Sequence, residues 1–474
     1  MDSEPRLSIL FVLESPLEHA NSLAFLNSYI DLIVNSLSDE LEITLFYPEF
    51  SDFEEHYSLN IVQCQKYKKM VTYLPLRYEF FKETFANRGM EDVFRYILKE
   101  KHFDCIHIWS FKNHSFNYPF IAKERSIPVV VSICDGFLFS TSIFEKGVPS
   151  NLEQESVRIS NFVCTPVSAL FNKINKLVKR KEKSSFWFEN IGRYTRYYNR
   201  TSLSPVESSV YEERASLCEG VIRLADKLHF FSELEYNLFY RSFVPEQKSV
   251  FIEQNIENNL SFANRPFEIE GAVKFGFVGE ILPEEGILEL VEAFNLLYQD
   301  GYQNELHIYG ELHKNHRYFS RLRKKVLNPN LYFHGQIEPK RLISALNTFD
   351  VLVIPSKWHR SDFFLLNTAI SLRKAIITTN RNCISEKVKK LNRGIILEQV
   401  NKKNIAETVS ELERNRKKLY YLMRTTDDFI NLGVEEDACA FIDIYNSCSK
   451  KPKDVDKILL KRKLIKKKME RQRG

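Results

Sequence analysis

The stretch 274-KFGFVGEILPEEGILELVEAFNLL-297 reads as a strand, a loop and a helix. Phe275 to Val278 is an apolar run of strand length closed by Gly279, and Pro283 and Gly286 punctuate the loop that follows. From Ile287 onward, Ile287, Leu290, Val291, Phe294 and Leu297 recur at helical spacing. A glycine loop feeding a helix N-terminus is a natural anion site, because unpaired N–H groups and the helix dipole both favour negative charge. This loop carries Glu280, Glu284 and Glu285 and no basic residue. Its shape suits a phosphate; its charge opposes one.

The rest of the chain sets that segment in context. A length of 474 residues exceeds one ordinary core and implies two domains of roughly 200 residues each. Hydrophobic residues make up 44% and charged residues 27%, the balance of a globular protein. There are only 15 glycines, about 3% against an average near 7%, few for a protein that cradles phosphates with backbone loops. The 8 cysteines are scattered with no Cys-x-x-Cys pair, which suggests a reducing compartment. The first residues, MDSEPRLSILFVLESP, lack the basic start and longer apolar core of a signal peptide, and no apolar run reaches spanning length. The expected location is cytoplasmic. Net charge is +5, but residues 450–474 alone carry +9, which leaves −4 on the body. The basic character belongs to the tail.

Strand-like runs alternate with helix-patterned segments, the signature of parallel α/β architecture. LSILFVLES, EITLFYP, FDCIHIWS, IPVVVSICDG and SVFIEQNI read as strands of a first half, with helices at LAFLNSYIDLIVNSL and NYPFIAKERS. LADKLHFFSELEYNLFYRSF reads as a further strand and helix. The pattern restarts with strands at VKFGFVG, ELHIYG, LYFHGQ, DVLVIPS, KAIITTN and RGIILEQ. Helices at IAETVSELERNRKKLYYLMRTTDDFINLG and EEDACAFIDIYNSCS close the body. The expected fold class is α/β, with two doubly wound Rossmann-like domains facing a cleft. The first spans residues 1–256 with an insertion at about 140–212, and a linker follows at 257–272. The second spans 273–449 with the closing helices, and 450–474 is a basic tail. In such sheets, ligands bind at the carboxyl ends of the strands.

The order and spacing of FGFVGEILPEEGILELVEAF, LHIYG, LYFHGQI, LISALNTFDVLVIPSKW and KAIITTN resemble family 4 glycosyltransferases of the GT-B fold. SILFVLESP, PVVVSICDG and LADKLHFFSELEYNLF agree more faintly. The resemblance implies a nucleotide-sugar donor held by the second domain and an acceptor held by the first. The positions that would do this work are nevertheless altered. Ala20 and Asn21 stand where the family has a glycine pair near the donor phosphates. Cys134 replaces the acceptor-side His, beside a retained Asp135. Glu280 replaces an Arg after Gly279, and Glu285 replaces a Lys before Gly286. Arg360 and Thr368 stand at the two glutamates that flank the donor. Arg373-Lys374-Ala375 and Asn382-Cys383 replace two further motifs, although Glu386 is kept.

A nucleotide diphosphate needs cations. At about 4 Å and an effective dielectric near 20, replacing a cation by a carboxylate turns roughly 4 kcal/mol of attraction into repulsion. Thr368 cannot accept two ribose hydrogen bonds as a carboxylate does. The resemblance therefore implies a GT-B protein with a degraded donor site, no cofactor or metal, and no catalytic residue assignable at Cys134, Asp135, Arg360 or Thr368. Glu280 and Glu285 could instead hold a cation, or be solvated or paired with Arg360, Arg373 or Lys374. His313 and His316 have metal-like spacing but show no third ligand and read as a surface loop.

The insertion FNKINKLVKRKEKSSFWFENIGRYTRYYNR interleaves 9 Lys or Arg with Phe186, Trp187, Phe188, Tyr194, Tyr197 and Tyr198. Such a mixture suits an anionic lipid surface, nucleic acid or a partner protein, or a solvated loop. The tail VDKILLKRKLIKKKMERQRG places Ile458, Ile465 and Met469 near one helical face. A non-catalytic scaffold or partner subunit is the leading expectation. It would be cytoplasmic, with the inner face of a membrane as a further possible station, and would bind a protein partner and not a nucleotide sugar. An active transferase acting on a glycan, lipid or protein is the alternative. A nucleic-acid-binding protein is a distant third that rests on charge alone.

Overall fold

The computed structural model describes residues 6–17, 24–75, 81–133, 208–241, 244–255, 269, 271–310, 317–338, 341–357, 363–380, 384–423 and 433–449. Cys134, Asp135, Arg360, the His313/His316 pair and the tail lie outside these residues, as does nearly all of the basic-aromatic insertion. The chain groups into two compact units. One comprises residues 1–16, 33–252 and 435–474, the other 17–32 and 253–434. The closing helix, read above with the second domain, groups with the first.

The first unit is built on an eight-stranded sheet in the order β3-β4-β2-β1-β5-β6-β7-β8. Its strands are β1 (Leu7–Val12), β2 (Leu41–Phe50), β3 (Leu59–Gln63), β4 (Lys68–Leu74), β5 (Cys105–Ile108), β6 (Val129–Ile133), β7 (Lys227–Phe230) and β8 (Ser249–Phe251). All pair in parallel except β3, which runs antiparallel to β4 at the edge. β1, β5 and β6 are buried along their whole length, as strands covered on both faces must be. Helices α2 (Arg88–Glu100), α3 (Tyr118–Glu124) and α4 (Ser208–Leu224) accompany them, and of α1 (Ala24–Leu37) only residues 33–37 belong to this unit. In α2 the Asn87 side chain accepts from Met90 N–H at 3.1 Å, and Met90, Val93, Phe94, Ile97 and Leu98 form the buried stripe. α4 begins inside the boundary read for the insertion. The helix expected after β7 is short, Glu233–Glu235 running on into a π-helical turn at Tyr236–Tyr240, where Arg241 N–H bonds the Tyr236 carbonyl at 2.9 Å.

The closing helix (Val434–Cys448) is fastened to this sheet by a buried polar chain. His229 Nε2 lies 2.9 Å from the Ile252 carbonyl, which can only accept, so Nε2 carries the hydrogen. His229 Nδ1 then accepts from the Ser132 hydroxyl at 2.7 Å, and Ser132 Oγ accepts from His107 Nε2 at 2.8 Å. His107 Nδ1 is left to accept from the Tyr445 hydroxyl at 2.7 Å. Every proton in the chain is assigned, and both imidazoles are neutral. Burial holds both far below the ordinary histidine range, His229 at about 4.

The second unit carries a six-stranded, all-parallel sheet in the order β11-β10-β9-β12-β13-β14. The strands are β9 (Lys274–Val278), β10 (Glu305–Tyr309), β11 (Leu331–Gly335), β12 (Val351–Ile354), β13 (Ala375–Thr379) and β14 (Gly394–Leu397). Interleaved are α5 (Ile287–Gln299), α6 (Arg317–Lys325), α7 (Leu342–Leu346), α8 (Phe363–Ser371), α9 (Ile384–Lys390), α10 (Lys402–Arg414) and α11 (Arg416–Met423); the closing helix is α12. The single long helix expected from residue 405 onward is two. Asn415 ends α10 and its side chain accepts from Lys418 N–H at 3.0 Å, which starts α11 afresh. The segment that opened the sequence analysis folds as read: β9, a loop with a short 3-10 turn at Pro283–Glu285, then α5. Both sheets change winding direction once, between β1 and β5 in the first unit and between β9 and β12 in the second.

Candidate functional site

The carboxyl ends of β9 and β12 are where a doubly wound sheet of this order binds its ligand. Four pieces of the chain meet there: the loop from Gly279 to Gly286, the first turn of α5, the segment Pro355–Lys357 after β12, and the N-terminus of α8. Gly286 makes their close approach possible. Its φ is 69°, in the left-handed region, and a Cβ there would stand 2.3 Å from the Pro355 carbonyl oxygen. That contact fastens the β9 loop directly onto the segment after β12.

Charge in this space is dominated by carboxylates. Glu285 is buried at 3% exposure, and Glu289 lies in the first turn of α5. Lys357 Nζ bonds Glu289 Oε1 at 2.6 Å, with both side chains about a quarter exposed. The other oxygen of Glu289 is buried and accepts no hydrogen bond. Lys357, the described cation of the segment after β12, is thus already held by the protein's own acid.

The two helix N-termini at the site are also occupied. α5 has no side-chain N-cap, but its Leu288 N–H is met by the Tyr318 hydroxyl of α6 at 3.2 Å. α8 receives Gln254 Oε1 on Phe364 N–H at 3.2 Å, and Asn367 Nδ2 donates to the Gln254 carbonyl at 2.5 Å. Neutral oxygens of the chain stand where an anion would be drawn.

Thr368 is buried in α8 and its hydroxyl donates to the Phe364 carbonyl at 2.7 Å, a bond within its own helix. It offers its donor to no ligand. Glu386 is on α9 with an exposed side chain. Arg373 and Lys374 precede β13, at the amino end of the sheet, whereas Glu280 and Glu285 follow β9 at the carboxyl end. Lys374 Nζ is buried and donates to the Phe349 carbonyl at 2.6 Å. Parallel topology therefore separates these two cations from the loop carboxylates, against the pairing considered from sequence. Sequence reasoning missed Glu289, Lys357, Tyr318 and Gln254. Only Lys357 carried a signal, a lone cation directly after the strand VLVI. Among the described residues, no group of three or more His, Cys, Asp or Glu is placed to hold a metal ion.

Comparison with known proteins places this geometry in a class. Residues 262–426 match the family described as glycosyl transferases group 1. The capsular polysaccharide biosynthesis glycosyltransferase CapM of Staphylococcus aureus is 31% identical over 139 residues, which cover 29% of this chain and 36% of CapM. The chain thus aligns with little more than a third of that relative. Sucrose-phosphate synthase from Thermosynechococcus elongatus superposes with a TM-score of 0.61 at 13% identity, covering 93% of this chain and 99% of that one. HepE of Anabaena, in complex with UDP and glucose, superposes with a TM-score of 0.58 at 12% identity, covering 93% and 100%. The fold is α/β, with two domains of the GT-B type, and residues 262–426 are similar to glycosyl transferases group 1. No helix among the described residues is long and apolar enough to cross a membrane.

Proposed function

We propose that this is a glycosyltransferase-related GT-B protein whose donor site is filled by its own side chains, acting as a non-catalytic scaffold or partner subunit. The observation that carries this reading is the Lys357–Glu289 pair, beside a buried Glu285 and two helix N-termini that already hold Tyr318 and Gln254. A diphosphate entering this space would have to break the Lys357–Glu289 ion pair, displace two hydrogen bonds and approach the negative charge of Glu289. The basic tail and the basic-aromatic insertion are the natural attachment points to a partner or an anionic membrane face.

The second reading is an active transferase moving a sugar from a nucleotide donor to a glycan, lipid or protein. The match over residues 262–426 and the kinship with CapM favour it, and under it Lys357 would exchange Glu289 for the donor phosphates. A thermal-shift panel of nucleotide sugars separates the two. A ligand at 100 times its Kd stabilises by about 2.7 kcal/mol, which a melting curve resolves readily. The first reading expects no shift with any of them and a stable protein co-purifying from native extracts. A clear shift with one nucleotide sugar supports the second.

A further inference from the structure

Among the described residues, the outer edge of the first sheet pairs with no further strand. β3 is its last strand, five residues long, and Asn60, Ile61, Val62 and Gln63 are all exposed. Edge strands in native proteins are commonly blunted by charge, proline or a bulge. β3 has none of these: its sequence is LNIVQ, and its register with β4 is unbroken from Leu59↔Thr72 to Gln63↔Lys68. Ile61 and Val62, on opposite faces of the strand, are 45% and 43% exposed.

The hydrogen bonding says which groups are open. Cys64 N–H bonds the Tyr67 carbonyl at 3.0 Å, closing the hairpin. In an antiparallel ladder, bonded and non-bonded pairs alternate, so Val62↔Lys69 and Asn60↔Val71 are the bonded pairs. The N–H and C=O groups of Leu59, Ile61 and Gln63 therefore point away from β4, toward solvent.

The edge is also held in place. Tyr57, just before β3, has φ 63° and packs against α2 so closely that a Cβ on Gly89 would lie 2.5 Å from its ring. Asn87 Nδ2 donates to its hydroxyl at 3.3 Å, and its N–H bonds the Tyr73 carbonyl at 2.8 Å. A preorganised strand loses little further entropy on pairing.

We propose that β3 pairs antiparallel with β3 of a second copy of this chain about a two-fold axis through Ile61. The three outward-facing residues fit that symmetry: Ile61 meets its own counterpart, and Leu59 meets Gln63 on either side. Each pair can exchange two backbone hydrogen bonds. Charge agrees with the antiparallel sense. Asp52, Glu54 and Glu55 precede the strand and are exposed, while Lys66 and Lys68 follow it, so the acidic flank of one copy faces the basic flank of the other. Five paired residues make an interface well below the roughly 1,600 Å² of a standard complex, so the association is expected to be weak and concentration-dependent.

Sedimentation velocity of the full chain, from low to high micromolar, tests this. The wild type is expected to shift from monomer to dimer. Ile61→Lys, which places two charges against each other on the axis, is expected to weaken dimerisation by at least about tenfold. Ile61→Pro removes an N–H that β4 does not use, so it is expected to abolish pairing while the melting curve stays near wild type. Asn60→Lys, which adds charge at a residue whose backbone faces β4, is expected to weaken dimerisation less than Ile61→Lys. A wild type that stays monomeric at high concentration overturns the proposal. So does a dimer that survives both Ile61 variants.

Discussion

Lys357 Nζ sits 2.6 Å from Glu289 Oε1, joining the segment after β12 to the first turn of α5 across the switch point of the second sheet. The pair neutralises the carboxylate in the first turn of α5 and fixes the spacing of the two segments. Because both side chains are partly buried, losing one partner strands the other. Lys357→Ala should lower stability by about 1–2 kcal/mol, and Glu289→Gln, which keeps a hydrogen-bond acceptor, by less. Urea denaturation of the two variants measures the order. Equal, negligible losses would mean the pair is only a surface contact.

Gly286→Ala should be costlier than its size suggests. The left-handed φ of 69° and the 2.3 Å approach to the Pro355 oxygen leave no room for a methyl group without moving backbone. A loss of about 1–3 kcal/mol is expected from strain of this kind. Hydrogen exchange should show the added opening in the 279–290 and 355–357 segments. A variant as stable as wild type would mean the two segments are not fastened there.

Tyr445→Phe should loosen the closing helix. It removes the donor to His107 Nδ1 and leaves a fully buried imidazole nitrogen without a partner, a penalty of about 1–3 kcal/mol. Protection of amides in residues 434–448 against hydrogen exchange reports the change directly. Unaltered protection would show that apolar packing alone holds the helix.

The histidines of this polar chain, and buried His114, whose Nε2 bonds the Leu13 carbonyl at 2.6 Å, predict a pH dependence. Burial depresses the pKa of His107, and that of His114 and His229 to about 4, all below the unfolded value near 6.5. Above pH 6.5 these groups are neutral in both states and contribute no slope. As pH falls from 6.5 toward 4, the unfolded chain binds protons that the folded chain refuses, so stability is lost on acidification. At pH 5 the loss is about 2 kcal/mol for each of His114 and His229, whose folded pKa is about 4, and His107 shifts in the same direction. Denaturant midpoints between pH 7.5 and 5 measure it, and a flat profile would contradict the burial of these rings.

The β9–loop–α5 segment was legible because glycine and proline punctuate it and its apolar residues change from strand run to helical spacing within a few positions. β3 and β4 were not: LNIVQ is exposed on both faces and has no inward-outward alternation to detect, and β4 begins with two lysines. The break at Asn415 hid inside a continuous helical pattern because asparagine ended one helix and capped the next. At the site, the carboxylates at Glu280 and Glu285 could be read from their places around Gly279 and Gly286. Their surroundings could not. Lys357 and Glu289 are 68 residues apart and meet only because β9 and β12 are neighbours in the sheet. Tyr318 and Gln254 act through hydroxyl and amide oxygens, which leave no pattern in a sequence.

Nucleotide binding tests most sharply the proposal that the chain's own side chains fill the donor site. Isothermal titration of the full-length protein with UDP-sugars, GDP-sugars and free UDP at millimolar concentration addresses it most directly. The same titrations would be run on a variant carrying Glu280→Arg, Glu285→Lys, Arg360→Glu and Thr368→Glu together with Glu289→Gln to release Lys357. No saturable heat is expected for the wild type, and measurable nucleotide binding for the variant. Saturable micromolar binding of a nucleotide sugar by the wild type would contradict it.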